Sequence, residues 1–159
     1  MNTNALETAY PELIRNAEAI TDATPLTEQD RTLADWTIAH VALSDRILAA
    51  AARDLLVGAP VVVDNREAMD PATLNALISR TSHQERIALV RRNADYFTAT
   101  VQCIPDHAAH TPVRLSLVDR DGNSVPDQHL PWDELIHVRA TQHLPGHAAR
   151  LAELARVLD

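Results

Sequence analysis

Lysine is absent from this chain, and glycine and cysteine are scarce. All fourteen basic residues are arginine, so neither a lysine Schiff base nor the phosphate-binding lysine of a Walker motif can form. Three glycines are too few for the glycine-rich phosphate loops of dinucleotide-binding or P-loop folds. These absences exclude several large enzyme classes and favour a helical fold.

The chain also lacks long hydrophobic runs and a secretion signal. Its richest apolar stretch, Ile47 to Val63, contains Arg53 and Asp54, whereas a membrane span needs about 18 consecutive apolar residues. The amino terminus does not combine a basic start with an apolar run. Cys103 is the single cysteine, so an intrachain disulfide cannot form. We therefore predict a cytoplasmic protein without membrane contacts.

Acidic residues outnumber basic ones by 22 to 14, which gives a net charge of −8 with neutral histidines. A surface of this sign repels phosphate and argues against nucleic acids or anionic membranes as partners. An apolar content of 46% is enough for a hydrophobic core. The length fits one domain over residues 1–159, and we expect its partner to be a small-molecule substrate.

Prolines and apolar periodicity divide the chain into four predicted helices. These cover residues 10–21, 27–57, 70–102 and 131 almost to the end. Pro11 fits the first turn of the first helix, Thr27 can cap the second, and Asp70 before Pro71 can cap the third. One face of the last helix carries Ile136, Ala140, His143, His147, Leu151, Leu154 and Leu158.

The stretch before the last helix has a different pattern. Apolar and polar residues alternate from Val113 to Leu117, and Asp121-Gly122 is a strong reverse-turn signal. A small hairpin or a long loop is therefore predicted within residues 104–130. With an extended connector over residues 59–69 between the second and third helices, the pattern predicts an all-α four-helix bundle.

Histidines occupy the apolar faces of two predicted helices. His143 and His147 are four residues apart, so their imidazoles project from one face and can hold one metal ion together. His40 lies between Trp36 and Leu43 on the second helix. A buried imidazole without a partner costs roughly 1 to 3 kcal/mol, and one metal ion would satisfy all three. Equally, each could be a core histidine bonded to a carbonyl group or water.

Other side chains are weaker candidates for a site. His83 continues the buried line of the third helix and could support or contact a ligand, or lie at a solvated rim. Arg80 could bind a carboxylate or be an ordinary solvated arginine. Trp36, one turn before the first histidine, is a further candidate for ligand contact. His129 and His137 lack partners at ligand spacing and are interpreted as surface residues.

A rival metal site would use Cys103, His107 and His110, which form a C-x3-H-x2-H pattern around Pro105. These ligands lie on a predicted loop, so no rigid element would hold them in place. A serine hydrolase site is not indicated, because the chain has no Gly-x-Ser-x-Gly elbow. The helical histidines are therefore the preferred candidates.

Two segments resemble the DinB-like metalloprotein superfamily. They are WTIAHVALSD at residues 36–45 and HLPGHAARL at residues 143–151. This superfamily includes YfiT-type metal-dependent hydrolases, thiol S-transferases that use bacillithiol or mycothiol, and the amino-terminal domain of mycothiol-dependent maleylpyruvate isomerases. The resemblance covers nearly the whole chain, since its length, helices and irregular insert all fit.

The resemblance implies a helix order of up-down-down-up and a metal centre between the second and fourth helices. Zinc or nickel would be held there by His40, His143 and His147. Three protein nitrogens leave a coordination position open, as in catalytic sites. The implied function is a mycothiol-type thiol S-transferase, or a related hydrolase or isomerase, in which the metal activates a low-molecular-weight thiol or water.

Three departures from the family pattern limit this inference. Twelve residues follow His147, too few for the carboxyl-terminal domain of the isomerases, so that specific activity is not expected. Pro145 lies between the two ligands and is expected to kink the helix. Asp45 stands where the family often has glutamate, and no role is assigned to it. The alternative function is a non-catalytic, stress-linked or structural bundle that forms a homodimer.

Overall fold

Helices make up most of the chain, as predicted, and three short strands form one sheet. The computed structural model describes residues 1–156, so Leu158 lies outside the described part. The helices are α1 (Asn4–Glu18), α2 (Glu28–Leu56), α3 (Arg66–Met69), α4 (Pro71–Arg80), α5 (His83–Gln102), α6 (Trp132–Val138) and α7 (Leu144–Ala155). The strands are β1 (Val62–Asp64), β2 (Pro112–Ser116) and β3 (Gln128–Pro131).

The second helix has nearly the predicted bounds because local signals define both of its ends. The Thr27 side chain accepts a hydrogen bond from the backbone N–H of Asp30 at 3.1 Å and caps α2. Beyond its last turn, Gly58 has a φ of +71°, the left-handed conformation that commonly ends a helix. This long helix carries His40 near its middle.

The predicted start of the first helix is wrong. Helix α1 begins at Asn4 instead of residue 10, so Pro11 lies inside the helix rather than in its first turn. Leu6 and Tyr10 are buried together with Leu13, so the apolar face extends before the proline. Burial of these side chains offsets the single backbone hydrogen bond that an interior proline removes.

The predicted third helix is two helices, α4 and α5. Thr81 between them is extended, and Ser82 forms a capping box with Glu85. The Ser82 hydroxyl accepts from the Glu85 N–H at 3.2 Å, and the Glu85 carboxylate accepts from the Ser82 N–H at 2.7 Å. Arg86 donates to the carbonyl of Thr81. These bonds satisfy the backbone at the break and begin a new helix.

The predicted hairpin exists as strands β2 and β3, which pair in antiparallel fashion. The connector over residues 59–69 is more ordered than predicted, because it supplies α3 and also β1, which pairs with β2 in parallel. Val63, Val113 and Leu115 are buried and attach the sheet to the core. The sheet thus covers one side of the helical core.

Four helical segments pack in a closed order around this core. Helix α2 contacts α5 and α7, and α1 contacts the same two helices. The largest fully buried side chains include Trp132 and Phe97. Within residues 1–156, none of the helices combines the length and apolar character required to cross a bilayer.

Candidate metal centre

Three histidines meet where α2 faces the last helical segment. His40 lies in α2, His143 ends a π-helical turn between α6 and α7, and His147 lies in the first turns of α7. One ring nitrogen of each lies within 4.8 Å of the other two, and the Nε2 atoms of His40 and His143 are 3.3 Å apart. The tertiary fold therefore brings together the predicted histidine set.

His40 is oriented by contacts on both sides of its ring. Its Nδ1 lies 2.8 Å from the carbonyl oxygen of Ala68 in α3, and since a carbonyl only accepts, Nδ1 carries the proton. The Trp36 ring stacks on the imidazole at 4.8 Å with an interplanar angle of 6°. The lone pair on Nε2 is then available toward His143. A backbone carbonyl on the far nitrogen is the usual support of a metal-binding imidazole.

The last helical segment changes geometry just before Pro145, where a π-helical turn precedes α7. The turn covers residues 139–143, and Pro145 then lies in the first turn of α7. The N–H of Leu144 donates to the carbonyl of Arg139 in this turn, whereas Pro145 has no N–H to donate. Turns of this kind often lie at functional sites. Here the turn carries His143 at its end.

A buried ion pair adjoins the histidines. Arg139 donates through Nη2 to Oδ1 of Asp45, and the Tyr10 hydroxyl donates to the same oxygen at 2.6 Å. Asp45 is fully buried and Arg139 is 4% exposed. The other terminal nitrogen of Arg139 donates to Nδ1 of His143 at 2.6 Å. This network, the Tyr10–Asp45–Arg139 network, links α1 and α2 to the histidine ring.

The three histidines are neutral near pH 7. Burial lowers the pKa of His40 to about 4 and the pKa of His147 to about 3. Burial, together with the charge of Arg139, lowers the pKa of His143 far below its usual range. Burial also raises the pKa of Tyr10 well above its ordinary value, so the hydroxyl keeps its proton. Neutral imidazole is the form that binds metals.

An apolar cavity lies beside two of the histidines. It has a volume of about 320 Å³, within the range of small-molecule sites. His40, His143 and Arg139 form part of its wall. Most of the remaining wall is aliphatic and comes from α2, the sheet and α6: Ile47, Leu48, Val63, Leu115, Leu117, Leu130, Leu135 and Val138.

Two weaker sequence candidates contact other groups. Arg80 is exposed and donates to the carbonyl of Ala76 at 2.8 Å. His83 donates from Nε2 to the carbonyl of Ala17 at 2.9 Å, and its Nδ1 lies 3.6 Å from the Asp35 carboxylate. None of these contacts involves the three histidines. Trp36, in contrast, contacts His40 directly, so of these candidates the structure brings only Trp36 to the centre.

The His83 contacts make stability depend on pH. Because Nε2 donates to Ala17, a neutral ring would turn a lone pair toward the Asp35 carboxylate, which favours a proton on Nδ1. Asp35 raises the pKa of His83, against partial burial and the charge of Arg86. The folded pKa thus lies above the unfolded value of about 6.5. The stabilisation that the His83–Asp35 interaction provides is complete below the pKa of His83 in the unfolded chain. It is lost as the pH rises through the pKa of His83 in the folded protein.

We expect His83→Gln to lower the free energy of unfolding more at about pH 5.5 than at about pH 8.5. Urea titrations in the presence of EDTA measure this difference. The exposed His137 provides a matched control, since His137→Gln should cost the same at both pH values. Equal losses at both pH values for His83→Gln would contradict the charge interaction with Asp35.

The rival cysteine and histidine cluster does not form a metal group within residues 1–156. Cys103 is exposed, His107 lies in a short 3₁₀ turn, and His110 pairs with a carboxylate of α6. His129 and His137 are exposed, in agreement with their interpretation as surface residues. The three helical histidines are the group of ligand side chains that the described chain brings together.

Sequence reasoning missed the arginines of this region, among them Arg139 and Arg120. Arg139 lies one turn before His143, on the same face, and this spacing is a usable signal. It was overlooked because buried arginines are rare without a carboxylate partner, and that partner lies 94 positions away in α2. Arg120 lies in the loop between β2 and β3, where spacing carries no information about tertiary neighbours.

Known protein families, curated proteins and solved structures were compared with this chain, and none matches. The resemblance to the DinB-like superfamily thus depends on the two histidine segments and stays a prediction. The chemistry of the centre has to be inferred from its geometry.

Proposed function

We propose that this protein is a divalent-metal-dependent enzyme of the DinB-like type, with zinc or nickel held by His40, His143 and His147. One observation carries the proposal: three neutral imidazoles converge within 4.8 Å of one another beside an apolar cavity of about 320 Å³. The activity that we propose is thiol S-transfer of the mycothiol type, with hydrolysis or isomerisation as related chemistry at the same centre.

The residues present fit a metal ion. The Nδ1 atom of His147 is buried without a hydrogen-bond partner among the described residues, and imidazole nitrogens suit zinc and nickel. Asp45 accepts from Tyr10 and Arg139 through Oδ1 and is not among the side chains that converge as possible ligands. A three-nitrogen site leaves a position open. A divalent ion there supplies Lewis acidity that makes a thiol or water nucleophilic at neutral pH.

The chain's own residues would bind and orient the second reactant. The aliphatic wall of the cavity excludes water and favours an apolar electrophile. Ser44 and Gln128 add polar groups to that wall and could orient the reactant by hydrogen bonds. Asp45 holds Arg139 in place, so the arginine charge beside the cavity has a fixed position.

We also propose that the chain forms a bundle of the DinB-like type, as one domain whose helices run in up-down-down-up order. The four members would be α1, α2, α5 and the continuous α6–α7 segment. Support comes from their packing, because α1 and α2 each contact both α5 and α7, which closes a ring of four. Strands β2 and β3 would be the insert before the last helix. A cytoplasmic location and a homodimer remain predictions from the sequence.

Metal content and thiol consumption test the proposal together. We expect roughly one zinc or nickel ion per chain by mass spectrometry, lost in His40→Ala and His143→Ala but retained in His137→Ala. Metal-loaded wild type should consume mycothiol in the presence of an alkylating electrophile, and the two histidine variants should not. A wild type that stays empty after incubation with either metal, with equal stability in both variants, would contradict the proposal.

One observation favours the non-catalytic alternative, a stress-linked or structural bundle that dimerises. Arg139 donates to Nδ1 of His143, so the neutral ring carries its proton on Nε2 and can donate it to Nε2 of His40 at 3.3 Å. Two of the three rings are then satisfied without an ion. Metal binding through Nε2 of His143 requires this arrangement to be broken, so metal affinity decides between the two functions.

A further inference from the structure

Two arginines outside the Tyr10–Asp45–Arg139 network lie beside the histidines. Arg150 follows His147 by three residues in α7, so the two side chains are neighbours on one face. The guanidinium carbon of Arg120 lies 5.8 Å from the centre of the Trp36 ring, which stacks on His40. Neither arginine pairs with a carboxylate among residues 1–156. In a chain of net charge −8, two unpaired cations at one place indicate an anion site.

Arg150 lacks the acceptor that its environment requires. Its side chain is half-buried, and its Nη1 is shielded from solvent without a hydrogen-bond partner among the described residues. The Nδ1 atom of His147, one turn away, is in the same condition. Burying such groups without partners is unfavourable. The unsatisfied donor of Arg150 indicates a ligand that brings acceptor oxygens.

The loop that carries Arg120 is held firmly in place. The Asn65 side chain bonds both backbone groups of Val118, at 2.7 and 3.0 Å, and Asp119 accepts two backbone N–H groups from the turn that follows. The guanidinium carbon of Arg120 lies over the Trp36 ring at 5.8 Å, within the range of a cation–π contact. Arg120 is thus positioned at the centre without a carboxylate of its own.

We propose that Arg150 and Arg120 bind the carboxylate of the small-molecule ligand that occupies the three-histidine centre. A guanidinium group presents parallel N–H donors that match the two oxygens of a carboxylate. The ligand class is therefore a small molecule with a carboxylate, either the reaction partner of the thiol or a thiol that itself carries a carboxylate, which mycothiol does not. The assignment of this ligand to a metal centre rests on the proposed function, whereas the presence of an anion site does not.

Nuclear magnetic resonance titrations of metal-free and zinc-loaded protein test this proposal with three matched probes. N-acetyl-L-cysteine has a thiol and a carboxylate, N-acetyl-L-cysteinamide has the thiol alone, and N-acetyl-L-alanine has the carboxylate alone. We expect wild type to bind the acid about tenfold more tightly than the amide. Arg150→Gln should abolish this preference and Arg120→Gln should reduce it. The exposed Arg92 supplies the control, since Arg92→Gln should keep it.

The outcomes separate this inference from the proposed function. Binding of N-acetyl-L-alanine with the same dependence on Arg150 assigns the carboxylate to the thiol's reaction partner, whereas a requirement for N-acetyl-L-cysteine assigns it to the thiol. If zinc does not bind but the Arg150-dependent preference persists, the anion site stands and the metal function fails.

Equal affinities of wild type for the acid and the amide, or binding of none of the three probes, would overturn the anion site. If Arg150→Gln melts at a lower temperature, Arg120→Gln on its exposed loop decides the test.

Discussion

Arg139→Met is expected to lower the free energy of unfolding by about 3 to 5 kcal/mol, because it leaves a buried carboxylate without its cation. Asp45 is fully buried and Arg139 is 4% exposed, so solvent cannot replace the missing partner. The remaining bond from Tyr10 at 2.6 Å cannot balance the charge. Urea unfolding followed by circular dichroism, in the presence of EDTA, measures the loss.

A double variant isolates the charge term in this prediction. Asp45→Asn combined with Arg139→Met removes both charges and keeps an acceptor for the Tyr10 hydroxyl. We expect it to be about 1 to 2 kcal/mol more stable than Arg139→Met alone, a typical coupling for contacting residues. The exposed Arg92→Met should change stability by less than about 0.5 kcal/mol. A double variant that is less stable than Arg139→Met would show that Asp45 contributes through packing rather than through charge.

Zinc at about a thousandfold excess over its dissociation constant should raise the free energy of unfolding of wild type by about 4 kcal/mol. His40 and His143 are 103 positions apart in the sequence. Only the folded chain therefore brings His40 within reach of His143 and His147. An ion held by all three rings would therefore bind the native state much more tightly than the unfolded chain. Thermal and urea unfolding with and without zinc measure the shift.

His147→Ala should abolish the zinc-dependent stabilisation and change metal-free stability little. The Nδ1 atom of His147 has no hydrogen-bond partner among the described residues. Replacing the residue with alanine therefore breaks no hydrogen bond at Nδ1. His137→Ala, on the exposed face of α6, should respond to zinc as wild type does. An unchanged response to zinc in His147→Ala would exclude that ring from the ligand set.

The Tyr10–Asp45–Arg139 network connects these two predictions. In the metal-free chain, Arg139 donates to Nδ1 of His143 at 2.6 Å, whereas a metal ion requires a lone pair on a nitrogen of the same ring. An ion on Nε2 would therefore require a different proton position on His143 from the one that Arg139 imposes. A comparison of zinc affinity between wild type and the double variant would show how strongly the network opposes or supports the ion.

Several features of the fold follow from short-range sequence signals. Helix α2 was predicted almost to the residue, because the Thr27 cap and Gly58 act within one turn of its ends. The break at Ser82 had an equally local signal, the S-x-x-E capping box, which the apolar periodicity across residues 70–102 concealed. The start of α1 was missed because Pro11 was assigned to a first turn, and burial of Leu6 decides otherwise.

The sequence by itself determined that His143 and His147 share one helical face and that His40 lies on a buried face, because helical geometry relates residues three or four apart. Tertiary structure alone decided that Nε2 of His40 lies 3.3 Å from Nε2 of His143 and that Arg139 pairs with Asp45. Those contacts join segments about a hundred positions apart, and no local pattern encodes such a distance. They arise from the packing of α2 against the last helix, which buries both faces and brings their polar side chains into one site.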